Sequence, residues 1–372
     1  METIKKLVLL TVPIQHCNLQ CDYCYISRVK DWSEGESKFE YSVDHMLKAL
    51  TKERLGGTCL INITGGGETL IPPEIPKVIK GLLEEGHYME VVTNGTLTKR
   101  FEEIAEFDKA LLNRLEFKFS FHYRELKKKN LLETYVNNVH KMQKSGCSFT
   151  IESMPYDELI DDIDEIKAFA IENFGALPQV TVGRDDMKDR VLLTQYTEEE
   201  YKSIWSQFGS TMFEYKMRIY DERPKHFCYA GDWSLYVDLK TGNAQACYGQ
   251  PVSQNIFKDL SKPIKFRAVG HHCTMPYCLN GHAFLSLGMQ PEFKGYSYFE
   301  IRNRETCNDT KWFSTSCEQA FSQKLYENNE ELSSGQKIAI DALKPFEYVG
   351  TLKYSKEQII RRLRKHKQKK QI

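Results

Sequence analysis

Apolar runs of strand type alternate with amphipathic stretches along the first half of the chain. Six such runs lie at residues 7–14, 59–64, 89–93, 115–122, 148–153 and 179–183. Between the first two, Val43, Met46, Leu47 and Leu50 share one face at helical spacing, and Gly56 stands where a helix C-cap belongs. Strands that alternate with helices predict a parallel α/β fold, which periodicity alone leaves as a partial barrel or an open doubly wound sheet.

The pattern changes after about residue 210. The stretch FCYAGDWSLYVDLKTGNAQACYG, residues 227–249, alternates apolar and polar positions around KTGN and predicts a β-hairpin. Loop-rich sequence with further cysteines continues to about residue 320, and the chain ends in a helical stretch with a basic tail. We therefore expect three parts, over residues 1–210, 211–325 and 326–372.

Three polar motifs follow the first three predicted strands. The motif HCNLQCDYCY follows the first strand, TGGGET follows the second and TNGT follows the third. In parallel α/β folds, reactive groups lie at the carboxyl ends of the strands. All three motifs are therefore expected on one rim of the fold.

The first motif carries three cysteines, Cys17, Cys21 and Cys24, in the pattern C-x3-C-x2-C. A zinc site normally closes its tetrahedron with a fourth Cys or His, and the neighbouring His16 should leave the strand end in another direction. Three thiolates that hold an iron–sulfur cubane leave its fourth iron open to an outside ligand. The spacing therefore favours an iron–sulfur cluster with one open corner over zinc.

The segment CNLQCDYC resembles the C-x3-C-x-aromatic-C signature of the radical S-adenosylmethionine superfamily, and GGGE is similar to that family's GGE element. The resemblance implies a partial (β/α)6 TIM-like barrel and a 4Fe–4S cluster whose open iron chelates S-adenosylmethionine. It also implies reductive cleavage of that cofactor to a 5'-deoxyadenosyl radical, which abstracts hydrogen from a substrate. An external one-electron reductant of flavodoxin or ferredoxin type would supply the electron.

The resemblance assigns residues of the first two motifs to the cofactor. Gly66 and Gly67 would bring backbone against the methionine, and Glu68 would accept a hydrogen bond from its amino group. Tyr23 would help to shape the adenine site. The glycines also suit an ordinary turn, and Tyr23 also suits packing.

Three later positions match places where members of the family contact the cofactor. Asn94 belongs to TNGT, although Asn-Gly is equally a common turn. Ser120 and Glu152 end the fourth and fifth predicted strands and match positions that hold the ribose and the methionine carboxylate. Glu152 also suits an ordinary solvated acid at a strand end.

A second cysteine group spans about residues 227–282. Its members are Cys228, Cys247, Cys273 and Cys278. The group resembles the auxiliary-cluster extension called SPASM, or its shorter Twitch relative, although the full SPASM pattern has seven cysteines and holds two clusters. Four cysteines close one cubane, so we expect a single auxiliary 4Fe–4S cluster for electron transfer or structure. A four-cysteine zinc site fits the same count, and His271, His272 and His282 are further candidate ligands.

Four cysteines lie outside the two groups. Cys59 and Cys147 have apolar neighbours and are predicted to be core residues. Cys307 and Cys317 are candidate catalytic residues, because a spare cysteine donates a hydrogen atom to the substrate radical in radical epimerases. They also suit a rearranged cluster, and isolated cysteines are often inert.

Composition restricts the partners and the compartment. Lys+Arg and Asp+Glu both number 51, so no overall field draws the protein to nucleic acid or membrane. The basic segment from Arg361 lacks interleaved aromatic residues and is predicted to be a solvated helix end. Neither a membrane-length apolar run nor a signal sequence is found, and eleven cysteines suit a reducing compartment. We expect a cytoplasmic protein.

The predicted function is a radical enzyme that oxidises or crosslinks a peptide or protein, as a maturase does. The alternative is oxidation or epimerisation of a sugar or other small molecule. An iron–sulfur electron carrier needs neither the open iron nor the glycine–glutamate element. The first predicted strand begins almost at residue 1, which leaves no room before it for the leader-peptide-binding domain of many peptide maturases. This weakens the prediction of a peptide substrate without excluding it.

Overall fold

The structure is a computed structural model that describes residues 2–24, 26–27, 38–185, 191–222, 225–271, 273, 275 and 277–342. The predicted basic tail beyond residue 342 and the candidate ligand His272 lie outside the described residues.

Six parallel strands in chain order form the centre of the molecule. They are β1 (Lys6–Val12), β2 (Cys59–Gly65), β3 (Tyr88–Thr93), β4 (Leu115–Ser120), β5 (Ser148–Ser153) and β6 (Gln179–Val180). Each corresponds to one of the six apolar runs, although β6 is shorter than predicted. The chain leaves the sheet there and pairs β7 (Arg184–Asp185) with β8 (Val191–Leu192). The predicted fold class, α/β with a partial TIM-like barrel, is confirmed.

Within the residues that the structure describes in full, eight helices alternate with these strands. They are α1 (Val43–Ala49), α2 (Lys52–Leu55), α3 (Ile75–Glu84), α4 (Thr98–Ala105), α5 (Lys109–Leu112), α6 (Tyr123–Lys128), α7 (Leu132–Ser145) and α8 (Ile163–Phe174). The stretch predicted as one helix up to Gly56 is divided, because the Thr51 side chain accepts from the Arg54 amide and caps a new helix start. Gly56 ends α2 with a positive φ of 82°.

Six helices follow in the second half of the described chain. They are α9 (Glu198–Ser206), α10 (Thr211–Ile219), α11 (Gly281–Phe284), α12 (Thr315–Phe321), α13 (Leu325–Asn328) and α14 (Ser334–Ala342). A 3-10 helix, Asp157–Asp162, precedes α8.

The predicted hairpin forms and continues the same sheet. It consists of β9 (Ser234–Asp238) and β10 (Asn243–Gln245), followed by β11 (Val252–Asn255). Strand β9 pairs in parallel with β1, so the sheet order is β11-β10-β9-β1-β2-β3-β4-β5-β6. Gly242 turns the hairpin with a φ of 74°, and a Cβ there would lie 2.3 Å from the Phe257 ring. The boundary expected near residue 210 is therefore bridged by strand pairing.

The two faces of the parallel strands differ in polarity. Residues that face the helices are apolar and fully buried, among them Ile61, Met89, Phe117 and Ile151. On the other face, register pairs Glu90 with Glu116, then Val92 with Lys118 and Thr150, then Ser120 with Glu152. We call the space on this polar inner face of β1–β6 the lumen. Because side chains alternate along a strand, these residues form successive layers from its floor to the rim.

The floor of the lumen is closed by the chain between α11 and α12. The Arg302 Nε lies 3.1 Å from Glu90 Oε2, and both side chains are almost fully buried. The Tyr298 hydroxyl donates to the same carboxylate. Thr150 on β5 donates to the Arg302 carbonyl at 3.3 Å. The lumen is therefore closed below and open toward the carboxyl ends of the strands.

Candidate functional site

The cysteine loop lies on the rim directly against the turn that follows β2. The Gly67 amide donates to the Ile14 carbonyl at 2.8 Å, and the Glu68 amide donates to the His16 carbonyl at 3.0 Å. Within the loop, the Cys24 amide donates to the Cys21 carbonyl at 3.0 Å. The first two motifs therefore form one hydrogen-bonded unit, as expected from their positions after neighbouring strands.

Gly67 is needed for this contact between the two motifs. A Cβ at Gly67 would lie 1.9 Å from the His16 carbonyl oxygen, a distance that no side chain can adopt without moving the backbone. The sequence interpretation placed this glycine against the methionine of the cofactor. In the structure, its close approach is to the cysteine loop, and Gly66 lines the adjoining cavity.

A cavity of about 260 Å³ lies at the junction of the three motifs. Its lining includes the predicted site residues Cys17, Cys21, Tyr23, Cys24, Gly66, Gly67, Glu68, Asn94 and Ser120, together with Thr64, Val92, Met154 and Arg184. The structure thus brings together nine of the residues singled out from the sequence. Thr64 and Val92 belong to the inner face of the barrel, so the cavity opens into the lumen.

Glu68 is held at the cavity wall by three donors. Its Oε1 accepts from the Thr93 hydroxyl at 2.7 Å and from the Leu70 amide at 3.1 Å, and its Oε2 accepts from the Asn94 amide at 2.7 Å. Burial raises the pKa of Glu68, while these hydrogen bonds oppose the rise. Since a carboxylate oxygen has two lone pairs, Oε2 can accept one further hydrogen bond from a ligand in the cavity.

Asn94 connects the TNGT turn to the first cysteine. Its Nδ2 donates to Asn18 Oδ1 at 2.8 Å and lies 3.6 Å from Cys17 Sγ as a donor to sulfur. The Thr96 hydroxyl donates to Asn94 Oδ1 and accepts from Asn18 Nδ2, both at 2.7 Å. Gly95 has a φ of 75°, and a Cβ there would lie 2.6 Å from the Tyr135 ring. TNGT is therefore both a turn and a support for the cysteine loop.

Tyr23 closes one side of the cavity with an aromatic wall. Its hydroxyl is hydrogen-bonded to His122 Nδ1, and its ring centroid lies 4.5 Å from that of Tyr156. Burial lowers the pKa of His122 to about 4, so its imidazole is neutral at physiological pH. Tyr23 thus packs against Tyr156 and also lines the cavity, so its predicted place at the adenine stays a prediction.

The three thiols suit a cationic metal cluster in charge and position. Burial raises the pKa of Cys17 to about 11 and also raises that of Cys21. A buried thiolate without a counter-charge is unfavourable, and a bound metal supplies that charge. The three side chains share one cavity wall and have no fourth Cys there, as a cluster with one open iron requires.

Ser120 and Glu152 are paired across β4 and β5 but face different surroundings. Ser120 lines the cavity. Glu152 is 8% exposed, and its Oε1 lies 3.0 Å from Lys118 Nζ. Burial disfavours its carboxylate, but Lys118, Lys216 and Arg302 outweigh this effect and lower the pKa of Glu152. The alternative of a solvated strand-end acid is wrong, because Glu152 belongs to a buried ionic cluster in the lumen.

The four cysteines of the second group line one small cavity. Cys228, Cys247, Cys273 and Cys278 surround about 40 Å³, together with Met275 and Gln290. Burial raises the pKa of Cys278, and the neighbouring Cys228, Cys273 and Cys247 raise it further. These thiols are therefore close enough to interact electrostatically, as four ligands of one metal centre must be.

The histidines near the second group have separate places in the described part of the chain. His271 Nδ1 pairs with Asp341 Oδ2 on α14 at 2.8 Å. His282 lies near the lumen cations, and burial together with Lys216, Arg302 and other cations lowers its pKa well below the usual value. Neither His271 nor His282 lines the small cavity.

Cys307 and Cys317 lie away from both cavities. Cys307 is exposed, and its amide donates to the Gly175 carbonyl at the end of α8. Cys317 is fully buried on α12, where its thiol contacts the carbonyl of Asn113 at 3.4 Å, at the amino end of β4. Their positions separate both thiols from the rim. Cys59 and Cys147 are buried, as expected of core residues.

Sequence reasoning missed the cationic side chains of the lumen. Lys118, Arg184, Lys216 and Arg302 come from four distant segments, and no motif connects them. One signal was available for Lys118, which interrupts the apolar strand β4 two residues before Ser120 and therefore faces the same side.

Two absences apply to the described ranges. No helix there combines the length and apolar character needed to cross a membrane. Within the same residues, no three Cys, His, Asp or Glu side chains are already drawn together tightly enough to enclose a metal ion.

Comparisons with known proteins bear on the part of the chain that contains the cysteine loop. Residues 11–170 match the profile of the Radical SAM superfamily. The 7-carboxy-7-deazaguanine synthase of Aquifex aeolicus (strain VF5) is 31% identical over 96 residues, which are 26% of this chain and 40% of that enzyme.

Among solved structures, Streptococcus suis SuiB has 17% identity and a TM-score of 0.47, with 68% of this chain and 64% of that chain covered. The protein anSMEcpe with bound AdoMet has 15% identity and a TM-score of 0.42, with 95% of this chain and 98% of that chain covered. At these values the likenesses do not bear on the substrate.

The profile match includes the cysteine loop, the glycine–glutamate turn and TNGT, which together line the cavity of about 260 Å³. Members of this family carry a 4Fe–4S cluster and bind S-adenosylmethionine. Over residues 11–170, this chain is therefore similar to the Radical SAM superfamily.

Proposed function

We propose that this protein cleaves S-adenosylmethionine at a cluster held by Cys17, Cys21 and Cys24 and uses the product to oxidise a substrate in the lumen. The observation that supports this most is the single cavity that contains the three thiols and the GGGE turn and opens into the lumen. When bound, the cluster and S-adenosylmethionine supply a 5'-deoxyadenosyl radical that removes a hydrogen atom from the substrate.

The chain's own residues bind and orient the cofactor. Glu68 Oε2 accepts from the amino group of the methionine, while Thr93 and the Asn94 amide keep the carboxylate fixed. Ser120, which lines the cavity, would contact the ribose, and Tyr23, held by its ring contact with Tyr156, would form the wall beside the adenine. Because these groups are positioned by hydrogen bonds before binding, little reorganisation is needed.

Asn94 also acts on the cluster. Its side-chain Nδ2–H points at Cys17 Sγ, with 3.6 Å between the nitrogen and the sulfur. Hydrogen bonds to ligand sulfurs stabilise the more negative, reduced state of a cluster and raise its reduction potential. Asn94 thereby makes the first cluster easier to reduce by an external carrier of flavodoxin or ferredoxin type.

Cys228, Cys247, Cys273 and Cys278 would hold an auxiliary 4Fe–4S cluster, which would supply an acceptor for the electron removed from the substrate. Their four thiols are enough to complete one cubane without an open iron. A tetrahedral zinc site fits the same four thiols and is the rival assignment, and it would have no redox function. Metal analysis and electron paramagnetic resonance of the purified protein distinguish the two.

The substrate class is a peptide or protein side chain, modified as in maturases, with a sugar or other small molecule as the alternative. Either substrate would enter the lumen from the rim, because the segment that contains Arg302 closes the floor. Two-electron oxidation removes two hydrogens from the substrate. One would leave as a hydrogen atom, giving 5'-deoxyadenosine, and the other as a proton, with the remaining electron accepted at a cluster held by the second cysteine group.

The test is an anaerobic incubation of the reconstituted protein with S-adenosylmethionine and a reductant. We expect 5'-deoxyadenosine to form, and we expect a peptide or sugar library to yield a product lighter by two hydrogens in the mass spectrum. Absence of 5'-deoxyadenosine from protein with full iron content would overturn the enzyme assignment in favour of an electron carrier. A product of unchanged mass that gains solvent deuterium would replace oxidation by epimerisation.

A further inference from the structure

Four cationic side chains from separate parts of the chain converge on the lumen below the rim. Lys118 lies on β4, Arg184 on β7, Lys216 on α10, and Arg302 on the segment that closes the floor. Arg184 lines the same cavity as the cysteines and the GGGE turn. The cations therefore extend from the floor of the lumen up to the cofactor cavity.

Only part of this positive charge is used in ion pairs. Lys118 pairs with Glu152 at 3.0 Å, and Arg302 lies 3.1 Å from Glu90. Arg184 instead donates to the Leu279 carbonyl at 2.9 Å, and Lys216 donates to the Thr181 hydroxyl. These last two cations thus bond to neutral acceptors.

The acids of the lumen are distributed unevenly among the cations. Burial, reinforced by Glu90, raises the pKa of Glu116 well above its usual value and so disfavours its carboxylate form. Glu90 pairs with Arg302 and Glu152 pairs with Lys118, and Asp185 next to Arg184 is another buried acid. Lys118 and Arg302 both approach Glu152, at 3.0 Å and 3.9 Å, so two cations share this carboxylate. Unbalanced charge in a buried space is unfavourable unless a ligand completes it.

Lys216 and His282 both lie close to other cations of the lumen. Burial, with added repulsion from Arg184, Lys118 and Arg302, outweighs the attraction of Glu152 and lowers the pKa of Lys216 to about 7. His282 Nδ1 is buried without a hydrogen-bond partner in the described structure, and so is Arg302 Nη1, whose side chain is 0% exposed. Polar atoms buried in this way normally have a partner.

We propose that the lumen contains an oxyanion subsite in which Lys216 and Arg184 bind a carboxylate or phosphate group of the substrate. Arg302 and Lys118 supply the surrounding positive field, and His282 offers a further polar contact. The subsite places an anionic end of the substrate below the rim, with the carbon to be oxidised toward the cofactor cavity. This inference rests on the proposed function, because it assumes that the substrate enters the lumen.

The experiment measures oxyanion binding to the reconstituted, S-adenosylmethionine-loaded protein at constant ionic strength. Equilibrium dialysis is carried out separately with radiolabelled inorganic phosphate and with succinate, so that the two arms distinguish phosphate from carboxylate recognition. We expect saturable binding of one probe per chain. Lys216→Met and Arg184→Met should each weaken it about tenfold or more, because each removes a charge-assisted hydrogen bond.

Control variants separate the subsite from loss of fold and from general charge effects. Lys216→Arg keeps the charge and should restore most of the binding. Lys202→Met removes an exposed cation that pairs with Glu198 on the neighbouring helix α9, and binding should not change. Both Met variants should retain the iron content and circular dichroism spectrum of the parent protein.

Two results would overturn the subsite. The first is that neither probe binds saturably to the loaded parent protein. The second is a loss of S-adenosylmethionine affinity in the Met variants with unchanged oxyanion binding, which would assign the cations to the cofactor carboxylate. Formation of 5'-deoxyadenosine is measured in the same samples without added substrate. If it fails while oxyanion binding persists, the proposed function is wrong and the subsite stands.

Discussion

The two cysteine groups differ in how the chain assembles them. The first has three thiols within residues 17–24, in one loop after β1, beside a cavity of about 260 Å³. The second gathers four thiols from residues 228–278, from both ends of a hairpin and from a later loop, around about 40 Å³. An open ligand set beside a large cavity suits a cluster that binds a cofactor. A closed set around a small cavity suits a centre that only passes electrons or supports the fold.

Loss of the first group should give the largest effect. The triple replacement of Cys17, Cys21 and Cys24 by Ala should reduce 5'-deoxyadenosine formation to background, because no other group in the described structure faces the GGGE turn with thiols. Iron content should fall by about half, with the auxiliary cluster retained. Retention of both full iron content and cofactor cleavage would show that the first site is misassigned. Cys307→Ala, at an exposed position, is the control.

Loss of the second group should separate the two functions. With Cys228 and Cys278 both replaced by Ala, we expect 5'-deoxyadenosine to form while the oxidised product is lost, because the removed electron has no acceptor. Electron paramagnetic resonance should show only the first cluster. If zinc rather than iron disappears in the metal analysis, the second group is a structural zinc site and the electron-transfer role is wrong.

The contrast between the groups also explains what the sequence could predict. The first site could be found because its thiols are contiguous and its supporting turns follow successive strands, so β-strand order alone brings Cys17, Glu68 and Asn94 together. The strands themselves were predictable from apolar runs. Strand β6 is shorter than its apolar run predicts. The Val180 and Gly183 amides there donate to the Ser210 and Tyr201 hydroxyls, which lie far along the chain.

The lumen could not be predicted in the same way. Its floor depends on Arg302, which is distant in sequence from Glu90, and a single Arg in a loop carries no pattern. The sequence predicts Glu152 to be a cofactor contact or a solvated acid. In the structure its carboxylate pairs with Lys118 on the neighbouring strand β4. Ion pairs between strands depend on register, which the apolar pattern of one strand does not fix.

Gly67→Ala tests whether the two motifs of the first site must touch. The new Cβ would meet the His16 carbonyl at 1.9 Å, so either the cysteine loop or the turn has to move. We expect a loss of about 1–3 kcal/mol in the free energy of unfolding and impaired assembly of the first cluster only. Urea unfolding and iron analysis measure the two effects. Gly335→Ala, where nothing lies within 4 Å of the new Cβ, serves as the matched control.

Glu68→Gln tests the charge at the cavity wall with little change in shape. The Gln side chain cannot accept at both terminal atoms, so the Asn94 amide and the methionine amino group lose their shared acceptor. We expect S-adenosylmethionine to bind about tenfold more weakly, with both clusters assembled. Isothermal titration gives the affinity, and Glu103→Gln on α4 is the control. Unchanged affinity in loaded protein would reduce GGGE to a structural turn.

The smallest effect is expected at the two cysteines that the sequence offered as hydrogen donors. Cys307 is on the surface beside Gly175, and Cys317 is buried near the amino end of β4, whereas the cofactor cavity is at the carboxyl ends of the strands. A thiol must contact the substrate radical to donate to it. Cys307→Ala and Cys317→Ala should therefore leave product mass and solvent-deuterium content unchanged, apart from a modest loss of stability at the buried position. Loss of a deuterium label in either variant would place that thiol at the substrate and would favour epimerisation over the oxidation proposed for the lumen.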